Sequence, residues 1–251
     1  MPNLRAWLED GPYALCMSSG FFGFFAHCGV LTVLEEEGLL PSQVAGSSAG
    51  ALVTGAWAAG LEATALAEHL QALRREDFWD PRLGWGLLRG GRFRRQLEEL
   101  LPVSEMHACR VPAAISVYDL GARKIRVLRE GALAPAIHAS CAVPGMFHPV
   151  RHAGGLLVDG GVADRPGIQG LAGVPRVLFH HLASRSPWRA RDSEGLSIPR
   201  REGLVTLVID PLPRSGPFKL ERGREAFLAA RRGTRTALAQ PVVAEEVRVT
   251  P

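Results

Sequence analysis

Residues 49–61, AGALVTGAWAAGL, run for more than three helical turns without a charged side chain. A helix that is apolar on every face has to be enclosed on every face. This segment therefore passes through an interior, and the rest of the chain must supply the elements that surround it. A length of 251 residues with 47% hydrophobic and 22% charged content is sufficient to do so within one domain. Gly55 and Gly60 allow neighbours to approach this helix closely, at some cost in helix propensity.

Directly ahead of the buried helix stands VAGSSAG, in which Gly46, Ser48 and Gly50 complete the pattern glycine, any residue, serine, any residue, glycine. That frame singles out Ser48 over its neighbour Ser47. The physical expectation is a sharp strand-to-helix turn that holds the hydroxyl at strained dihedrals. The first helical N–H groups and the positive end of the helix dipole then face the point where negative charge would develop. A polar N-cap would give the same letters, and the pattern alone leaves both open.

Around this unit, strand-like and helix-like runs alternate. YALCMSS reads as a strand that turns at Gly20 and Gly23 into a helix closing on VLTVLEEEG. Amphipathic helices are expected near 62–75 and 93–101, strands in AAISVYDL and KIRVLRE, a helix at 133–141 and a strand in GGLLVDGG. RVLFHHL and LVTLVID bracket a polar Arg/Ser/Pro loop at about 183–201, and a basic amphipathic helix spans about 218–238. Alternation with nearly continuous apolar strands predicts an α/β fold with a mostly parallel sheet covered by helices on both faces. We divide the chain into a lead-in at 1–12, one α/β domain at 13–240 and a tail at 241–251. Sites in such sheets lie beyond the carboxyl ends of the strands, where three turns fall, at residues 20–23, 46–50 and 159–161.

Cys16, Cys28, Cys109 and Cys141 lie far apart without metal-ligand spacing, so free thiols in a reducing compartment are expected and no metal or cofactor is implied. Glu9 and Asp10 interrupt the place where a signal peptide needs its apolar core, and the long uncharged stretches at 13–34 and 38–61 are broken by serines, glycines and Pro41. A cytoplasmic protein without a membrane span is the expectation. The net charge of +4 leans mildly toward anionic partners. Trp85, Leu87 and Leu88 beside Arg89, Arg92, Arg94 and Arg95 suit peripheral contact with an anionic membrane, as do Lys219, Arg222, Arg224, Arg231, Arg232 and Arg235 of the closing helix. A solvated loop and helix face would look alike. No nucleic-acid partner is expected, and SGFFGFFAHCG lacks the dinucleotide-binding glycine spacing. Asp119 is expected to cap a hairpin turn, His27 to be a satisfied core histidine, and His180 and His181 to point to opposite faces of a strand, which disfavours joint metal ligation.

The three turns, in their order, resemble the patatin-like phospholipases, a family of lipid acyl hydrolases. GSSAG resembles the family's nucleophile elbow and VDGG its catalytic aspartate. SSGFFGFFAHCGVL resembles its oxyanion loop, and HASCAVPGMFHPV the segment before the aspartate. The likeness covers about residues 13–170. It departs at the oxyanion loop, where two serines precede Gly20, Phe21 and Phe22 follow it, and no basic residue is present. The resemblance implies a patatin-like α/β fold and a Ser48–Asp159 dyad that forms a covalent acyl-enzyme with a lipid or acyl ester. It further implies an oxyanion hole from the amides of Gly20, Phe21, Phe22 and Ala49, and tight backbone at Gly46, Gly50, Gly160 and Gly161. Two alternatives stand beside it: an esterase or thioesterase in which His180 or His181 completes a Ser-Asp-His triad, and a catalytically silent lipid- or partner-binding protein of the same fold.

Overall fold

The computed structural model describes residues 2–183 and 198–251. The chain opens with α1 (Leu4–Glu9), β1 (Ala14–Met17), α2 (Phe24–Glu36), β2 (Gln43–Ser47) and α3 (Ala49–Ala58). There follow α4 (Ala63–Ala72), α5 (Arg75–Phe78), β3 (Gly86–Leu88), α6 (Gly91–Leu100), β4 (Ala113–Asp119), β5 (Lys124–Leu128) and α7 (Leu133–Ser140). Three short strands come next, β6 (Gly145–Phe147), β7 (Val150–His152) and β8 (Gly155–Asp159), then β9 (Val177–His181), β10 (Leu204–Ile209), α8 (Arg222–Leu238) and β11 (Glu246–Val249). Of the polar loop expected at 183–201, residues 184–197 lie outside the described residues.

The main sheet runs in the order β11, β10, β9, β1, β2, β4, β8, β7, with β5 also paired to β4. β11 through β4 are parallel, whereas β5, β8 and β7 enter antiparallel. The central strands are buried on both faces, as their continuous apolar runs require. Their period of two still sorts the side chains. Leu15, Met17, Ile115 and Leu207 join the large core under the helices, while Ala14, Cys16, Ala114 and Phe179 face a smaller cluster closed by Leu171. Every residue of α3 is buried, so the helix that is apolar all round is enclosed all round.

The two ends are built into this domain. Residues 241–251, expected as a tail, supply β11 on the edge of the sheet, and Leu4 of the lead-in donates its N–H to the Gln240 carbonyl. EVRV alternates polar and apolar residues with Val247 and Val249 buried, a strand period at its minimum length that the reading of a tail passed over. All four cysteines are free thiols. Among the described residues no helix is long and apolar enough to cross a membrane.

Candidate active site

Ser48 stands between β2 and α3 at φ 54°, ψ −119°. A positive φ in a residue with a Cβ costs roughly 1–3 kcal/mol and persists only where the surroundings impose it. Here they do. A Cβ on Gly46 would lie 2.4 Å from the Gly50 carbonyl carbon, and one on Gly50 would lie 2.0 Å from the Met17 carbonyl oxygen. Both glycines are therefore dictated by backbone contact, which lets α3 depart at once from the end of the sheet. The Ser48 N–H donates to Ser140 Oγ (2.9 Å), whose hydroxyl donates to the Ser116 carbonyl (2.7 Å), and the Ser116 hydroxyl donates to Asp164 (2.6 Å). The Cys141 thiol donates to the Ser48 carbonyl at 3.2 Å. The turn is thus clamped from α7 and β4, and Ser48 retains 8% of its surface.

Sheet register brings Asp159 to the same place. Ile115 pairs with both Gly46 and Leu128, and Val117 with both Arg126 and Asp159. Since β5 occupies one edge of β4, β2 and β8 must share the other. On that edge Ser47 stands opposite Ser116 and Asp159 opposite Val117, so the strand carrying the serine ends where the strand carrying the aspartate ends. Asp159 is buried, and its Oδ1 accepts the Gly161 N–H at 2.7 Å. A Cβ on Gly160 would lie 2.2 Å from the Ser116 carbonyl oxygen, and one on Gly161 2.5 Å from Ser19 Oγ. The two glycines allow the aspartate turn to lie against the serine turn on one side and the residue 18–23 loop on the other.

That loop and Ser48 open onto one cavity of about 100 Å³, almost wholly apolar, lined by Gly20, Phe21, Phe22, Ser48 and Ala49 together with side chains of α4, α5 and α6. The N–H groups of Ser18, Ser19 and Gly23 are bonded to the carbonyls of His180, Arg165 and Gly20. They are not available to an oxyanion, which restricts donors from this loop to residues 20–22.

A model of the patatin-like phospholipase family matches residues 15–172, more than half of the chain, from β1 past Asp159. The chain belongs to the patatin-like phospholipase family. An uncharacterized NTE family protein of Mycobacterium bovis is 34% identical over 164 residues, 64% of this chain and 46% of its own length. A putative patatin-like phospholipase domain-containing protein of Caenorhabditis elegans is 28% identical over 151 residues, 54% of this chain and 13% of its own. This chain therefore spans less than half the length of these curated relatives. The crystal structure of VipD from Legionella pneumophila shares the fold, with a TM-score of 0.61 at 14% identity, covering 90% of this chain and 66% of that one.

In this patatin-like chain the histidines lie elsewhere. His27 Nε2–H donates to the Ser18 carbonyl (2.8 Å), which leaves its Nδ1 as acceptor for His180 Nδ1–H (2.8 Å). Burial holds the His27 pKa down to about 3 and depresses that of His180 as well. Both rings are neutral core groups. β9 is separated from β2 by β1, about 10 Å at the usual strand spacing. His181 turns to the other face, beside Phe179. Asp119 caps the β4–β5 hairpin, accepting from the N–H groups of Gly121 and Ala122 and from Arg126, and these bonds hold its carboxyl below the usual range.

Residue patterning missed Ser140, Asp164 and Arg165. Asp164 is buried and accepts from Ser116 and from the N–H groups of Gly167 and Ile168, while Arg165 is buried and donates to the Leu182 carbonyl. The only local signal was a charged pair preceding Pro166 and Gly167, which reads as an ordinary turn. The basic surface segment also differs from expectation. Leu88 is buried in the core and so is not available to a membrane. Arg92 donates to the carbonyls of Glu76 and Trp79, Arg94 pairs with Glu98, and Arg231 and Arg235 both pair with Glu36. Leu83 (99%), Trp85 (74%) and Leu87 remain exposed, as does Phe218, whose ring meets Trp79.

Proposed function

We propose that this patatin-like protein is a serine lipid acyl hydrolase of the phospholipase A or esterase type, with Ser48 as nucleophile and Asp159 as general base. The observation that carries this reading is the strained serine turn, open to an apolar cavity, with the aspartate one register step away on the same edge of β4. Asp159 takes the Ser48 hydroxyl proton as Oγ attacks the ester carbonyl carbon. The oxyanion is held by amides of Gly20, Phe21, Phe22 and Ala49 and by the α3 dipole. Collapse expels the alcohol, which receives the proton from Asp159 and leaves Ser48 acylated. Asp159 then deprotonates a water that attacks the acyl carbonyl, and the released Ser48 alkoxide regains its proton as the carboxylic acid departs. No cofactor enters this sequence. A dyad is favoured over a triad because His180 is already bonded to His27 and lies a strand beyond β1.

Substrate would arrive from a lipid surface met by Leu83, Trp85, Leu87 and Phe218, with Arg89 and Arg95 near anionic headgroups. The test is turnover by the purified chain of p-nitrophenyl esters and of phospholipid vesicles, with Ser48→Ala beside it. Ester hydrolysis that vanishes in the variant is expected. A folded wild type that turns over neither substrate overturns the reading.

A further inference from the structure

The cavity at Ser48 is an apolar cleft, about half open to solvent, that aromatic rings crowd from several sides. Phe22, Phe24, Phe78, Phe93 and Phe147 reduce it to about 100 Å³. An engineered apolar cavity of about 150 Å³ holds one benzene, so by the same measure this one takes an acyl chain of about four carbons. A second cavity, of about 210 Å³, lies on the other side of Phe21 and Phe22, which belong to both linings. Among the described residues its remaining wall comes from Gly23 and Ala26, Leu182, the 212–215 segment and Ala226 of α8.

The dividing wall is held in place from both sides. The Phe22 ring packs against Phe24 (5.4 Å) and Phe78 (5.8 Å) of the first cavity, and the Phe21 ring meets it edge-on at 5.0 Å. From the second cavity the Ser215 hydroxyl donates to the Phe22 carbonyl at 2.9 Å. Phe22 is itself at φ 54°, a backbone state that a bulky residue adopts only under such constraint.

We propose that Phe21 and Phe22 form a partition that restricts the site to esters of short-chain acids, and that the second cavity is the space a longer acyl chain enters once either ring is removed. The proposal rests on the acyl-hydrolase reading and, within it, selects the short-chain esterase form over the phospholipase A form. Each methylene that gains apolar burial in the transition state raises kcat/KM about fourfold, and a methylene that finds no space gains nothing. The wild type should therefore improve from acetyl to about butanoyl or hexanoyl esters and decline beyond them. In Phe22→Ala, and separately in Phe21→Ala, the ratio of kcat/KM for decanoyl over butanoyl p-nitrophenyl esters should rise about tenfold or more. Adding Ala226→Leu to Phe22→Ala refills the second cavity and should return the ratio toward the wild-type value, which general loosening of the loop would not do. Phe22→Leu, with intermediate volume, serves should either alanine variant fail to fold by circular dichroism.

An unchanged ratio in variants that still hydrolyse the butanoyl ester and still take a fluorophosphonate label overturns the partition and leaves the hydrolase reading intact. A wild type that already prefers decanoyl esters does the same. A folded wild type that neither hydrolyses any ester nor takes the label overturns the hydrolase reading and the partition with it.

Discussion

Ser47 and Ser48 are adjacent and both buried, yet their surroundings differ. Ser48 carries the strained backbone and lines the cavity, whereas Ser47 Oγ has no hydrogen-bond partner among the described residues. Ser48→Ala should abolish labelling by a fluorophosphonate probe. Ser47→Ala should keep it with a stability change under about 1 kcal/mol, because no bonded partner is left behind. Asp159→Asn should lower kcat by about 10³-fold, within the range lost with a general base, while circular dichroism remains that of the wild type. His180→Ala should retain ester turnover and lose about 1–3 kcal/mol of stability, since His27 Nδ1 loses its donor. Thermal melts and initial rates on a soluble short ester separate the two effects, and loss of turnover in the histidine variant alone would favour the triad.

The units that carry these residues are turns whose shape depends on glycine. Gly50→Ala drives a Cβ to within 2.0 Å of the Met17 carbonyl oxygen, a backbone contact with no flexible end to move aside. It should cost about 3 kcal/mol or more and appear as a large fall in melting temperature or as loss of folded protein. Gly11→Ala, where a Cβ meets nothing within 4 Å, should be close to neutral. At this scale much was legible in the sequence. β1, β2, α3, β4, β8 and β10 are strong runs with clear periods or glycine stops, and each formed within a few residues of its expected bounds. Missed were β3 and β6, three residues each and paired with one another, β7, three residues paired with β8, and β11, four residues at the sheet edge. In the three-residue strands the pairing partner, not the local composition, makes the strand.

Across the whole molecule, burial of histidine couples stability to pH. Burial holds His27 near a pKa of about 3, and His138 and His181 near about 4, against about 6.5 in an unfolded chain. Between pH 6.5 and 4 the unfolded chain binds more protons than the folded one, so stability rises with pH there and is lost on acidification. By pH 4 each group has contributed up to about 3 kcal/mol of that loss. The melting temperature should fall steadily from pH 7 to pH 4. His138→Leu should reduce that slope because it removes one titrating ring, and His138, packed against Phe93 and Phe147, makes no hydrogen bond among the described residues that the change would break.

The surface makes a separate prediction. Trp85→Ala with Leu87→Ala should weaken co-sedimentation with anionic vesicles about tenfold, and separately Arg89→Glu with Arg95→Glu about thirtyfold or more, at about 1 kcal/mol per arginine lost. Binding should also fall with added salt, and turnover of a soluble short ester should not change. Arg92 and Arg94 are left out because their side chains hold the local fold. Unchanged binding in both pairs would leave this face without an interfacial role.

The sequence by itself determined the parts that depend on neighbours along the chain: the enclosed helix α3, which ends at Ala58, three residues before its expected bound, the parallel α/β class, the serine frame Gly46–Ser48–Gly50 and the aspartate turn that follows GGLLVD. The helix and the two turns are each written in a short local run, as a period or a glycine, and the fold class in the succession of such runs along the chain. Only the tertiary structure decided that β2 and β8 share one edge of β4, that Ser140, Ser116 and Asp164 clamp the serine turn, that His180 is turned to His27, and that Phe21 and Phe22 stand between two cavities. These contacts join residues 24 to 193 positions apart. They are set by which strands pair and which rings fill the same space, and no local pattern encodes that.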